Sequence, residues 1–435
     1  MQETCDVFVL GGGPAGSTAA GLLAERGWKV VIVDKERHPR FHIGESMLPM
    51  STPLFERLGV REQVEKIGMV KHGAEFISPQ KKHTVTFDFG MAWNADYPST
   101  YQVRRSQLDE ILFRNSGRMG AQTIEECRVT DVQFPKTHAE DVQISAEMAD
   151  GTKRSFKARF FIDASGRDTF LSRRFDMKKR NHEHCTAAMF GHFEGAKRLT
   201  GKEEGNISIF WFDHGWFWFI PLLDGQTSVG AVCNAEYMKS RGKADTRQFF
   251  FDTIARCPAL ADRLAQANLP GGVTATGNYS YFSERMYGER WILVGDAWAF
   301  VDPVFSSGVL LGMNSAFQGI EAVETYLRDP AKAPAALRNF EKTVRSGVRN
   351  FSWFIYRMTT PGIETLFMQP SDKMKMQTAV ISLLAGDLFR GTPIDGSLRA
   401  FKVVYYLWGL FNPRRALEGW RRRRRSVRAG GLAEA

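Results

Sequence analysis

DVFVLGGGPAG, residues 6–16, decides the fold. A short apolar run stops at three consecutive glycines. STAAGLLAERG at 17–27 then has the composition of a helix, and WKVVIVDK at 28–35 is a second, β-branched run. Strand, glycine turn, helix and strand follow one another within about thirty residues, the pattern of a dinucleotide-binding unit. Gly11, Gly13 and Gly16 form GxGxxG between the first strand and the first helix, with Pro14 and Ala15 opening that helix. Gly11 permits the tight turn, Gly13 lets the backbone approach a pyrophosphate, and Gly16 lets helix and strand pack closely. The helix N-terminus then meets the phosphate charge. Asp34, at the end of the second run, is placed to bind ribose hydroxyls, which argues against a 2′-phosphate there.

The rest of the chain sets the context. It has 435 residues, 43% apolar and 24% charged, which is ordinary for a globular protein of two or three lobes. Aromatics make up 12%, with 33 Phe and 10 Trp, a content that suits flat ligands. The net charge of +10 is uneven: residues 414–435 hold eight Arg and two Glu, so the basic character is mainly a property of the end of the chain. That end reads as a solvated, partly disordered basic tail, with docking to an acidic protein or to anionic lipid as the sharper alternatives. No nucleic-acid partner is expected. Cys5, Cys127, Cys185, Cys233 and Cys257 include no CxxC pair, so neither a disulfide framework nor a metal is expected. The start MQETCDVFVLGGG lacks the basic region of a signal peptide, and no apolar run reaches membrane-spanning length. The expected location is the cytoplasm, with peripheral membrane contact through the basic end as the further option.

HGWFWFIPL, 214–222, raises a separate question. Trp216, Trp218 and Ile220 share one face of a strand, read as half-buried, and two tryptophans so placed need something large and flat opposite them. FIDASGRDT at 161–169 and RWILVGDAWAFVDP at 290–303 each run an apolar strand into a small-residue turn with an acid. Asp296 is placed to hold the ribityl or ribose part of a long cofactor. A second dinucleotide turn is missing from the sequence, so one dinucleotide is kept. GESMLP at 44–49 and VRRSQLDEIL at 103–112 complete the pattern.

Together these stretches resemble the FAD-dependent aromatic monooxygenase superfamily. Within it the chain is most similar to the flavin-dependent halogenases of the smaller type, which act on pyrroles and phenols. The likeness covers most of residues 1–395 and rests on GxGxxG, on WxWxIP at Trp216, Trp218, Ile220 and Pro221, on FxxPxxSxG at Phe300, Pro303, Ser306 and Gly308, and on Lys71 in KHGAEF. WxWxIP is the most specific; GxGxxG alone would not separate a halogenase from a hydroxylase.

The resemblance implies an α/β fold: a Rossmann-like FAD-binding domain (1–75, 101–185 and 286–335) interleaved with a substrate-side β-sheet domain (76–100 and 186–285), then a helical region (336–412) and the basic tail (413–435). It also implies FAD held by Gly11, Gly13, Pro14, Ala15, Gly16, Asp34, Glu45, Ser46, Arg105, Asp296 and Pro303, and reduced by a separate flavin reductase. Reduced FAD, dioxygen and chloride or bromide would yield hypohalous acid. Backbone N–H groups at Ser307 and Gly308 would hold the halide, with Ser306 or Ser307 capping the helix as the plainer role. Trp216, Trp218, Ile220 and Pro221 would separate flavin from substrate, and Lys71 would bind or carry the oxidant to an electron-rich ring, free or tethered to an acyl or peptidyl carrier protein. One departure stands out: tryptophan halogenases carry a Glu at the position of Phe305. The base that takes the ring proton stays open, with His72 and Glu75 as the nearest groups. The competing readings are an aromatic hydroxylase, a geranylgeranyl-reductase-like oxidoreductase, and a flavin-binding relic without activity.

Overall fold

The computed structural model describes residues 2–79, 83–135, 140–277 and 280–431. Its first layer is an eight-stranded sheet. The order along it is Tyr287–Gly288, Trp291–Leu293, Lys153–Asp163, Gln2–Leu10, Val30–Val33 and Gln122–Ile124, with Val142–Met148 branching off Lys153–Asp163 and Cys127–Gln133 pairing with Val142–Met148. The strands from Trp291–Leu293 to Gln122–Ile124 are mutually parallel. Val7, Phe8 and Val9 are wholly buried, as are Ile32, Phe160, Phe161 and Ile162. Such continuous apolar runs are what a parallel sheet covered on both faces requires.

The second layer is a seven-stranded sheet in the order Thr274–Thr276, Thr186–Phe193, Thr227–Asn234, Gly215–Pro221, Ile207–Phe212, Gly73–Ile77 and Thr84–Asp88. All its pairings are antiparallel except that of Ile207–Phe212 with Gly73–Ile77. The strand carrying the two tryptophans is buried along its whole length, not half-buried as expected. Phe217 and Phe219 point the other way, into a second core with Phe249, Phe250 and Leu260 from the helices Thr246–Ala255 and Pro258–Arg263. Those helices cover the face that an isolated reading of the strand leaves to solvent.

The remainder is helical. The helix Gly308–Arg328 packs on the first helix, Pro14–Glu25, and on Ala333–Ile355. Residues 413–431 are more ordered than the solvated, partly disordered basic end read in the sequence. They form a helix, Pro413–Gly431, anchored on residues 180–185, just before the second sheet's strand Thr186–Phe193: Ser426 Oγ donates to the Cys185 carbonyl at 2.7 Å, and Arg180 donates to the Val427 carbonyl at 3.2 Å. Residues 432–435 of the expected tail lie outside the described residues. Among the described residues no helix is long and apolar enough to cross a membrane.

Candidate functional site

The glycine turn obeys the demands read from its sequence. Gly11 has φ +108°, where only glycine is comfortable, and a Cβ there would lie 2.3 Å from the Ala164 carbonyl oxygen. A Cβ on Gly16 would lie 1.9 Å from the Gly11 oxygen, so the close approach of helix and strand excludes any side chain. Gly13 is different: the nearest atom to a Cβ there is Arg40 Nη2 at 3.8 Å, so its backbone is open to an approaching group.

The turn forms one end of a cavity of about 1300 Å³. Leu10, Asp34, Ala164 and Val294, each at or just beyond the carboxyl end of a parallel strand, line it. That is where open α/β sheets place their ligands. Across from them stand Ala188, Phe190, Ile207, Trp216, Trp218 and Ile220 of the second sheet. Such a volume exceeds the usual span of small-molecule pockets and leaves room for a dinucleotide with a second ligand beside it.

The residues present fit FAD. The open Gly13 and the N-terminus of Pro14–Glu25 form a phosphate cradle. Asp296 lines the cavity, and burial pushes its carboxyl up to about 6, with Arg105 and Arg167 acting against the rise. No described donor bonds that carboxylate, so it is available to hydroxyl groups. Asp34 is more engaged than the sequence suggested. Its Oδ2 accepts from the Gly12 N–H at 2.9 Å and from Arg40 at 3.0 Å, while Oδ1 accepts from the Glu36 N–H at 2.9 Å. It therefore fixes the glycine turn as well as lining the cavity. Arg105 forks onto Asp109 and donates to the Ile43 carbonyl at 2.9 Å, and Glu45 meets His192 Nε2 at 3.0 Å.

The segment 302–308 is shaped by its own residues. Asp302 Oδ1 accepts from the Val304 N–H at 3.1 Å; Oδ2 accepts from Thr186 Oγ1 at 2.9 Å and meets His184 Nε2 at 2.7 Å. Pro303 starts a single 3₁₀ turn, Pro303–Phe305, and Ser306 turns left-handed at φ +56°. The helix Gly308–Arg328 then begins, and neither serine caps it by a side-chain bond. Ser306, Ser307, Gly308 and Val309 line the cavity, so this helix N-terminus, with N–H groups it cannot pair internally, borders the same space as the two tryptophans. Phe305 is 3% exposed, 6.4 Å from the Phe351 ring, so an apolar contact stands at the position where the resemblance to tryptophan halogenases would imply a carboxylate.

Trp216 and Trp218 have ring centroids 6.1 Å apart, and Trp218 Nε1 donates to Ser228 Oγ at 3.2 Å. Gly230 is the cross-strand partner of Trp218, and Phe190 is the partner of Gly230. A Cβ on Gly230 would lie 2.2 Å from the Trp218 ring. The missing side chain is what lets the indole lie across the intervening strand to reach Phe190, 5.8 Å away between centroids.

The cavity thus gathers Gly11, Gly13, Pro14, Ala15, Asp34, Glu45, Ser46, Arg105, Asp296, Pro303, Ser307, Gly308, Trp216, Trp218 and Ile220. Gly16, Pro221 and Lys71 are not on its wall. Lys71 ends the strand Met69–Lys71 and is 1% exposed. Its ammonium donates to Ser46 Oγ and to the Met47 carbonyl, both at 2.9 Å, so it stands one hydrogen bond behind a wall residue. Burial lowers its pKa from 10.5 to about 7. Neither His72 nor Glu75 lines the cavity, and Glu75 is held by Arg263 at 2.8 Å and bonded by Ser208 at 2.5 Å. Arg40 was missed: it pairs with Asp34 and Asp109 and lies over the phosphate cradle at Gly13. Its only sequence signal is its position in HPRFHIGES, just before Glu45 and Ser46.

Comparison with known proteins agrees with this architecture. The FAD binding domain family model matches residues 4–341. A flavin-dependent halogenase of Armillaria mellea is 33% identical over 347 residues, 74% of this chain and 68% of that protein. The 1H-pyrrole-2-carbonyl-[peptidyl-carrier protein] chlorinase of Pseudomonas fluorescens is 29% identical over 418 residues, 90% of this chain and 91% of that protein. The structure of the myxobacterial chondrochloren halogenase superposes with a TM-score of 0.78 at 31% identity, covering 93% of this chain and 96% of that one. With this likeness along most of its length, and a cavity that fits FAD beside a second ligand, the chain belongs to the flavin-dependent halogenases.

Proposed function

We propose that the protein halogenates an electron-rich aromatic ring, a phenol or a pyrrole, with chloride or bromide as the halogen source. Bound and reduced, FAD supplies the electrons with which dioxygen is activated toward the halide. The chain's own residues then have three tasks. Gly11, Gly13, Arg40 and the first helix, which Gly16 lets pack close, would hold the pyrophosphate, and Asp296 the polyol. The first N–H groups at Ser307 and Gly308 would hold the halide, with the helix dipole in place of a side-chain cation. Trp216, Trp218 and Ile220 would form the wall that keeps the aromatic substrate from the activated oxygen, so that only the smaller hypohalous acid passes. Lys71, through its bond to Ser46, would bind or carry that acid to the ring; an amine whose pKa lies near 7 can supply both a proton donor and a free lone pair.

The observation that carries this reading is that Trp216, Trp218, Ser307 and Gly308 border one cavity together with the phosphate turn. An apolar Phe305 favours rings activated by their own hydroxyl or N–H over tryptophan. Reduction by a separate flavin reductase is part of this reading, supported by the single dinucleotide turn in the sequence. A carrier-tethered substrate is the finer proposal, prompted by the carrier-protein chlorinase among the relatives. Product mass spectrometry after incubation with a reductase, FAD, halide and a panel of free and carrier-bound pyrroles and phenols tests all of this. Halide-dependent halogenated product is expected. A hydroxylated product formed equally without halide would return the chain to the hydroxylases.

A further inference from the structure

The helix Asp395–Phe411 is apolar on the side it buries and on the side it shows to solvent. Leu398 and Phe401 enter the core, while Val403, Tyr406, Leu407 and Leu410 stand exposed at helical spacing on the opposite face. The stripe ends at Phe411. Leu410 is 74% exposed and Phe411 82%, and only Asn412 separates them from the next helix, Pro413–Gly431. Gly409 and Ala416 bring the two helices together, a Cβ on the former lying 3.7 Å from that of the latter. The most exposed large hydrophobic side chains of the described residues therefore sit at the tip of a helical hairpin. The second helix adds exposed Leu417 and Trp420, then outward Arg421, Arg424, Arg425 and Arg428, with Glu418 the lone acid on it among described side chains.

This hairpin is not a frayed end. Its inner side is tied by Ser426 to Cys185 and Ala235, by Val427 to Arg180, and by Arg423 to Glu183 and the Tyr356 ring. A fixed face that combines protruding Leu and Phe, a Trp and a Tyr, and a dense arginine field has the make-up of an element lying in a lipid interface: apolar groups enter the acyl boundary, aromatics sit at headgroup depth, and guanidinium groups meet phosphates. An acidic protein would be served by the arginines alone and gives no reason for the bare tip. Spanning is not an option for helices of this length and composition. We propose that the hairpin 395–431 docks the enzyme on the surface of an anionic phospholipid bilayer.

The test uses the full-length, FAD-loaded protein and sedimentation with vesicles. Binding is expected to phosphatidylcholine–phosphatidylglycerol vesicles but not to phosphatidylcholine alone, weakening as salt rises. The double variant Leu410→Asp/Phe411→Asp is expected to lower partitioning at least about tenfold, since it removes the apolar anchor. Its FAD content and elution volume should match the wild type, showing that it is folded. Three outcomes would overturn the proposal: no sedimentation with anionic vesicles at low salt, equal sedimentation of the variant, or a wild-type dimer that the same variant splits, which would assign the face to a second copy. In the second of these, retention of the wild type by an acidic acyl carrier protein, lost in the variant, would assign the face to a protein partner.

Discussion

Replacing Lys71 by Met tests the burial of its ammonium and its chemistry at once. The side chain is 1% exposed, and burial lowers its pKa from 10.5 to about 7. In the unfolded chain the lysine keeps its proton up to the ordinary value. Between about pH 7 and pH 10.5 unfolding therefore takes up a proton, and this group makes stability rise with pH by about 1.4 kcal/mol per unit. Below pH 7 both states are protonated and the full cost of burying the charge stands, about 5 kcal/mol relative to the alkaline limit. Met has similar volume and no charge, but leaves the Met47 carbonyl without the donor it has at 2.9 Å, a loss of about 1–3 kcal/mol. The variant should thus be the more stable protein at neutral pH. Its advantage should shrink by about 2–3 kcal/mol between about pH 7 and about pH 9. Urea denaturation of both proteins at the two pH values measures this, and a pH-independent difference would refute the buried-ammonium assignment. Because Lys71 is not on the cavity wall, FAD content should stay normal, while halogenation falls on the order of 10² or more. Arg in its place should not restore turnover, since a guanidinium does not give up its proton. Near-normal halogenation by the Met variant would remove Lys71 from the mechanism.

Three other perturbations address the remaining parts of the site. Gly230→Ala would put a Cβ 2.2 Å from the Trp218 ring; expelling the indole should cost about 1–3 kcal/mol and change the near-ultraviolet dichroism, and an unchanged melting temperature would mean that the indole does not lie over that glycine. Gly308→Val should leave the fold intact, because a Cβ there meets nothing within 4 Å, yet raise the halide concentration needed for half-maximal turnover; an unchanged halide dependence would place the anion elsewhere. Asp296→Ala should weaken FAD retention, seen as flavin released on gel filtration, and full retention would show that the carboxylate does not hold the cofactor.

The parts of the site that were legible in the sequence are those whose requirements are local. Gly11 needs a positive φ and Gly16 must clear the Gly11 oxygen, and both demands are met within six residues of chain. The alternation of Trp216, Trp218 and Ile220 states a shared face whatever lies opposite. Arg40 could not be read the same way. Its meaning comes from Asp34 and Asp109, and the latter is brought to it only by the packing of the helix Arg105–Arg118. The clamp of Asp302 by His184 and Thr186 spans more than a hundred residues and leaves no trace in either segment. The arginine run misled for another reason. Five successive arginines announce a solvated, disordered end; Arg421, Arg422, Arg424 and Arg425 are exposed, but arginine is also a good helix former, and the helix is anchored by Ser426, Arg423 and two backbone carbonyls rather than by an apolar stripe.

Gly230 shows most clearly why a strand cannot be interpreted alone. In TSVGAVCN it reads as a weak point, a residue without a side chain in the middle of a β-branched run. Across one ladder it faces Trp218 and across the other Phe190. The indole occupies the volume that the glycine gives up, and Ser228, two residues away on the same face, accepts its N–H. The tryptophan wall is therefore specified by two strands, one supplying the rings and the other supplying the gap and the hydrogen bond that orient one of them. WxWxIP names only the first. A chain with that motif and a larger residue in place of Gly230 would have to seat its second tryptophan differently, so the pairing of Trp218 with a cross-strand glycine carries more about the shape of the cavity than the motif does.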